Sequence, residues 1–136
     1  ITEANVNTDF LSSLINQNII PVFSAITHDG QGQLFNTNAD TVASTIAVAL
    51  ARIYDVRLIY SFEKKGVLKD INDENSVISS INEANFNSFV EQKIIADGMI
   101  PKITNALQAV NKGVSQVIIK NANDLLDDMS GTIVTK

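Results

Sequence analysis

Two stretches of the chain combine polar, charged and glycine residues in patterns suited to holding an anion. In Phe35-Asn36-Thr37-Asn38-Ala39-Asp40-Thr41-Val42-Ala43, three polar side chains alternate at Asn36, Asn38 and Asp40 just ahead of an apolar-periodic run. In Asp97-Gly98-Met99-Ile100-Pro101-Lys102, a glycine and a lysine flank the start of another such run. Both sit where a loop turns into an amphipathic helix, where backbone N–H groups lack intrahelical partners and can hold an anionic substrate. Asn and Asp are also favoured helix N-caps, a role worth about 1 kcal/mol. Three alternating polar side chains exceed what one cap uses, and capping and ligand contact are compatible. Pro101 suits a first helical turn, because its missing N–H would have been unpaired anyway. Lys102 in that turn faces the positive end of the helix dipole, which costs roughly a few tenths of a kcal/mol unless an anion compensates. It reads either as a solvated lysine with a long stem or as a cation placed for an anion. Gly98 lets backbone approach a ligand with no side chain in the way.

The elements that position these residues follow from periodicity. Val6, Phe10, Leu11, Leu14 and Ile15 have helical spacing, and Asn18 suits the stop. The run Ile19 to Ile26 is short and rich in β-branched residues, which predicts a buried strand with Pro21 near its start. His28-Asp29-Gly30-Gln31-Gly32 is a turn signal, with a short return strand over Gln33-Leu34-Phe35, and His28 reads as a solvated turn residue. A second helix starts at Asp40 with Val42, Ile46, Ala49, Leu50 and Ile53 on one face, and Val56 to Ser61 is a further apolar strand. Phe86, Phe89, Val90 and Ile94 form a third helical stripe. Ile100, Ile103, Leu107 and Val110 form a fourth, which Gly113 closes. Strands are predicted at Val117-Ile118-Ile119 and Thr132-Ile133-Val134, with a short helix at Asp124-Leu125-Leu126. Helix then buried strand, repeated, is the signature of a parallel sheet covered by helices. The connection after Ser61, including Glu63-Lys64-Lys65, then lies at the ligand side of an open α/β sheet. As charges alone, those three residues also read as a solvated turn.

Composition sets the outer limits. The chain has 136 residues, 45% of them hydrophobic and 18% charged, which suits one globular domain rather than a disordered segment. Its net charge of −5 argues against nucleic-acid binding, which rewards a concentrated basic face. Cysteine is absent, which excludes disulfides and thiolate metal sites and is compatible with a reducing cytoplasm. No apolar run approaches the roughly 18 residues of a membrane span, and no signal-peptide pattern opens the chain. Ile1 in place of an initiator Met suggests a fragment or a processed chain. No GxxxxGK[ST] motif is present, so the chain does not read as a P-loop enzyme.

The order NTNADTVA, GVL, GMIPK and a closing GTIV, with IIPVFSAI upstream, resembles the C-terminal, nucleotide-binding half of the N-acetylglutamate kinases of the amino-acid kinase family. The likeness covers nearly the whole chain. It implies a partial amino-acid kinase fold, a three-layer αβα sandwich with a mainly parallel sheet, and residues 1–136 as one ATP-binding half-domain. The family's phosphate loop, its other catalytic lysine and its substrate-binding arginine belong to an N-terminal half outside this sequence. The implied activity is transfer of phosphoryl from ATP, with Mg2+ arriving on the nucleotide, to the γ-carboxylate of an N-acylglutamate in cytoplasmic arginine synthesis. The implied partners are small molecules, with neither nucleic acid nor membrane, and a homo-oligomeric complete enzyme. The implied catalytic residues are Lys102, which meets the phosphoryl group in flight, and Asp40, which orients lysines. Asn36 and Asn38 are the implied substrate contacts. Ser61, Glu63, Lys65, Gly66, Val67, Leu68, Ile95, Ala96, Asp97 and Gly98 are the implied nucleotide contacts. Where the family's nucleotide strand ends in Ser/Thr-Asp-Val-x-Gly, this sequence has Ser61-Phe62-Glu63-Lys64-Lys65-Gly66, with Glu63 in the acidic place after a one-residue insertion. The isolated fragment is expected to be inactive. A non-catalytic nucleotide-binding or interaction module on the same scaffold is the alternative, as is an aspartate, carbamate or uridylate kinase.

Overall fold

A computed structural model describes residues 1–96 and 98–136. A helix α1 (Thr8–Asn16) and a small hairpin, β1 (Ile26–His28) with β2 (Leu34–Asn36), precede the main α/β unit. That unit runs α2 (Ala39–Leu50), β3 (Arg57–Phe62), β4 (Ser80–Ile81), α3 (Glu83–Glu91), α4 (Met99–Asn111), β5 (Gln116–Asn121) and β6 (Thr132–Val134). Its four strands stand in the order β3-β5-β6-β4. The pairs β3/β5 and β4/β6 are parallel, and β5/β6 is antiparallel. The sheet is therefore mixed but mostly parallel, as expected of the α/β class. Its antiparallel pair has a simple cause. The link from Asn121 to Thr132 holds only a 3-10 turn, Ala122–Asp124, too short for the helical crossover a parallel pair requires.

β5 is an inner strand, flanked by β3 and β6. Val117, Ile118, Ile119 and Lys120 are all buried, so both of its faces are covered, whereas β3 alternates exposed and buried as an edge strand does. The register sets Leu58 beside Val117 and Tyr60 beside Ile119 on one face. Against that face pack α2 and α4, which also contact one another. From α4, Ile103, Ala106, Leu107 and Val110 enter the core at the i, i+3, i+4, i+7 spacing of a single helix face. The expected stop at Gly113 is present, with φ of +112°. Across the sheet, the buried Lys120 side chain donates from Nζ to the carbonyls of Asp124 (3.2 Å) and Asp127 (2.6 Å), fastening the 122–131 link over β5. The short helix expected over Asp124–Leu126 is instead the 3-10 turn two residues earlier.

The buried strand expected over Ile19–Ile26 does not form. Only Ile26 belongs to a strand, where β1 pairs with β2, and Ile20, Val22 and Phe23 are 86%, 92% and 50% exposed. A strand is stable when its N–H and C=O groups find a neighbour, and among the described residues none lies beside Ile19–Ser24. The same flank carries Phe10 and Ile15 of α1, which are 57% and 38% exposed although Leu11 between them is buried. The turn between β1 and β2 matches its signal. Gly30 and Gly32 have φ of +81° and +101°, and the Asp29 carboxylate accepts from the N–H groups of Gln31 and Gln33. His28 is exposed in that hairpin, and its Nδ1 accepts only the nearby Gly30 N–H.

Candidate functional site

The N-termini of α2 and α4 converge beside the C-terminal end of β3. Each helix start has a local cause. Asn38 caps α2, its Oδ1 accepting the Thr41 N–H at 3.1 Å, so this side chain does the capping that its type suggests. Asp40 then falls in the first turn of α2, where the dipole favours a carboxylate. By contrast, α4 begins at Gly98 with no side-chain cap, and its first turn holds no acidic residue among those described. Lys102 in its opening turns therefore needs its negative partner from elsewhere. That partner is Asp40, whose Oδ2 accepts from Lys102 Nζ at 2.8 Å.

Strand β3 supplies the floor. Lys102 Nζ lies 5.0 Å from the centre of the Tyr60 ring and 6.0 Å from that of Phe62, within reach of a cation–π attraction for Tyr60 and at its limit for Phe62. The Tyr60 hydroxyl donates to the Asp40 carbonyl oxygen at 3.3 Å. Burial pushes the Tyr60 phenol above its ordinary pKa, the Asp40 charge adds to this, and a hydrogen bond with Ser44 opposes it. Lys102 is thus held by a carboxylate on one side and aromatic faces on the other, with 23% of its side chain still open to solvent. The 37% exposure of Asp40 limits the pair to at most about 1 kcal/mol of stability. An ion pair this open contributes little to folding, and its ammonium remains free to meet a second anion.

The other sequence-predicted residues divide into groups. Asn36 ends β2 and is exposed, two residues before the Asn38 cap. Ser61 is exposed on the face of β3 opposite Tyr60 and Phe62, and so points away from Lys102. Glu63 and Lys65 are exposed on the bend after β3. Gly66 is buried, and a Cβ there would come within 2.8 Å of Thr132 Oγ1 and 2.9 Å of Val77 Cγ1. Val67 belongs to the core, 2% exposed, its N–H donating to Thr132 Oγ1 and its carbonyl accepting the Ile78 N–H. Its side chain and both main-chain polar groups are thus engaged within the fold. Leu68 is half-buried and bridged to Val77. The Ile95 side chain is likewise core, 1% exposed, so a ligand there meets at most its main chain. Ala96 and Gly98 are exposed, and among the described residues, the chain neighbours of Gly98 aside, nothing lies within 4 Å of a Cβ built on it. Asp97 lies outside the described residues. Among the described residues, no group of three or more His, Cys, Asp or Glu side chains is placed to hold a metal ion.

Sequence reasoning missed four residues. Tyr60 and Phe62 form the aromatic floor, and the only signal for them was their alternation at the end of an apolar strand. Asn121 and Thr132 hold the bend after β3; Thr132 falls in the closing GTIV stretch, but nothing local in the sequence ties either residue to that bend. Asn121 Nδ2 donates to the Glu63 carbonyl at 2.6 Å, and Thr132 Oγ1 takes the Val67 N–H at 2.8 Å.

The chain resembles known proteins over nearly its whole length. The acetylglutamate kinase of Phocaeicola vulgatus is 52% identical over 131 residues, covering 96% of this chain and 51% of that protein. That of Parabacteroides distasonis is 54% identical over 120 residues, covering 88% of this chain and 47% of that protein. The chain thus spans about half the length of the curated relatives it matches. Among solved structures, the smu.665 protein of Streptococcus mutans UA159 superposes with a TM-score of 0.75 at 31% identity, over 96% of this chain and 48% of that one. An N-acetylglutamate synthase of Neisseria gonorrhoeae, solved with coenzyme A and L-arginine, gives a TM-score of 0.81 over 96% of this chain and 31% of its own, a likeness of fold alone at 22% identity. The model of the amino acid kinase family matches residues 2–121, and this chain belongs to that family.

Proposed function

We propose that this chain is the nucleotide-binding C-terminal half of an acetylglutamate kinase. The observation that carries the reading is the Lys102 ammonium, held 2.8 Å from the Asp40 carboxylate where two helix N-termini meet the end of a sheet strand. Two curated relatives at 52% and 54% identity bear the acetylglutamate kinase name, which supports the choice of acceptor. Bound together with Mg2+, ATP would supply the γ-phosphoryl group. An oxygen of the acceptor's γ-carboxylate forms the new O–P bond while the β–γ bridging O–P bond breaks, and ADP leaves with that electron pair. The acceptor is already an anion, so no base is needed to remove a proton. The protein must align the groups and meet spreading negative charge.

The residues fit that task. Lys102 brings a positive charge to the N-terminus of α4, so cation and helix end act on the same phosphate oxygens. Asp40 fixes the ammonium without accepting a proton, and the Tyr60 and Phe62 faces limit where it can move. Open space at Gly98 admits a phosphate close to the backbone. Mg2+ fits as an ion carried by the nucleotide and keeping several waters.

The test is a hydroxylamine trap for the acyl phosphate, run with ATP, Mg2+ and N-acetylglutamate. The full-length protein carrying this chain is expected to yield hydroxamate, and residues 1–136 alone are not. Full-length protein that binds ATP yet forms no hydroxamate with N-acetylglutamate refutes the proposed activity.

A further inference from the structure

The bend that follows β3 is held at both ends by side chains from the next two strands of the sheet, β5 and β6. At its start, Asn121 at the end of β5 donates from Nδ2 to the Glu63 carbonyl at 2.6 Å. At its finish, Thr132, which opens β6, accepts the Val67 N–H at 2.8 Å with its Oγ1 fully buried. Ile119 pairs with Thr132, so both pins rise from adjacent strands. The link between them is fastened in turn by Lys120 and by Ser130, each donating to the carbonyls of Asp124 and Asp127. Gly131, at φ +94°, passes so close to β5 that a Cβ would stand 2.6 Å from the Ile119 carbonyl oxygen. Gly66 meets Thr132 with no room for a Cβ either.

Between the pins stand Lys64 and Lys65. Neither makes an ion pair among the described residues, although the chain carries a net charge of −5. Two ammonium groups without carboxylates, on a bend fixed at both ends and adjoining the Phe62 floor of the Lys102 site, suit a polyphosphate. We infer that Asn121 and Thr132 are positioning residues for nucleotide binding, holding the 63–67 bend in its ligand-ready shape so that the nucleotide does not have to order it. This rests on the nucleotide reading above. Preorganisation raises affinity by removing the ordering cost of the bend, so loosening a pin should weaken nucleotide binding more than it slows transfer.

The experiment measures Mg-ATP binding by calorimetry, and kcat and KM for ATP, in the full-length protein carrying Thr132→Val, Thr132→Ser or Asn121→Ala. Thr132→Val keeps the shape and removes the acceptor. It should raise Kd and KM for ATP about tenfold with kcat within about threefold, and Thr132→Ser should restore both to within about twofold, a rescue that a purely packing role would not give. Asn121→Ala removes the donor of the other pin at a half-buried position, together with the Oδ1 acceptor for the Asn123 N–H, and should raise Kd in the same sense. It decides the question alone if Thr132→Val does not fold. Wild-type protein that binds ATP while these variants bind it equally well overturns the inference and leaves the nucleotide reading standing. Wild-type protein that does not bind Mg-ATP overturns both.

Discussion

Replacing Lys102 with alanine separates the catalytic reading of the site from a structural one. The side chain has two jobs of very different size. As a partner of Asp40 it belongs to a half-open ion pair worth at most about 1 kcal/mol, and its removal also relieves a cation at the positive end of α4. The Asp40 carboxylate left behind remains in the first turn of α2, where the dipole favours it. Folding should therefore lose less than about 1 kcal/mol, so Tm moves by only a few degrees. As a cation meeting charge that grows during transfer, the ammonium counts for more. At about 4 Å and an effective dielectric of about 20, a full unit charge gains roughly 4 kcal/mol. Removing one preorganised electrostatic contact costs about 3 kcal/mol in practice, a loss of roughly a hundredfold or more in kcat. Because the contact strengthens in the transition state, KM for either substrate should move far less than kcat. Lys102→Arg should recover little, since a planar fork neither fits between Asp40 and the Tyr60 ring as an ammonium does nor presents one compact charge. The hydroxamate assay on full-length protein, with circular dichroism and Tm alongside, measures both quantities. A folded Lys102→Ala protein that keeps kcat within about threefold, less than 1 kcal/mol, refutes the assignment.

Further outcomes follow from the same geometry. Asp40→Asn keeps the shape at the start of α2 but loses the carboxylate charge that faces the ammonium, and should lower kcat by about tenfold to a hundredfold, as expected for a charge-assisted hydrogen bond, with melting nearly unchanged; unaltered kcat refutes its orienting role. Residues 1–136 alone should self-associate through the uncovered flank around Phe10, Ile20, Val22 and Phe23, and sedimentation that shows a monomer at every concentration contradicts this. Burial raises the Tyr60 pKa, so the folded state keeps a proton that the unfolded state gives up. The stability this provides is full below the unfolded value of about 10 and falls as pH rises from there through the folded value. Tyr60→Phe should therefore flatten the fall in Tm above about pH 10, and equal slopes for the two proteins contradict the buried-phenol account.

How much of this was legible in the sequence depended on whether a signal was local. The stripe of α4 and the stop at Gly113 were readable because helix faces and glycine stops are local patterns, and the structure gives both. The apolar run at Ile19 was misread for a physical reason: its composition is that of a strand, but ladder formation depends on a neighbour that composition does not reveal. The two-residue β4 left no periodicity to find. The antiparallel setting of β6 was legible in principle, because ten residues without a long helix cannot carry a parallel crossover. Motif resemblance brought Asp40 and Lys102 into view from 62 positions apart, and the nucleotide contacts it implies include Val67 and Ile95, whose side chains fill the core. A motif marks a segment, whereas burial decides which of its residues can touch anything.

The inner place of β5 also constrains how the chain is made. Arg57 of β3 pairs with Gln116, 59 positions later. At about 5–20 residues per second, β3 emerges from the ribosome about 3–12 s before its partner exists. During that interval the α2 and β3 apolar faces have no inner strand to close on, and they are the surfaces a chaperone would meet. A nascent chain stalled before Asn121 should hold chaperone and remain protease-sensitive. One extended past Val134 should release chaperone and become resistant in a single step, because β3, β6 and both covering helices are completed by the same strand.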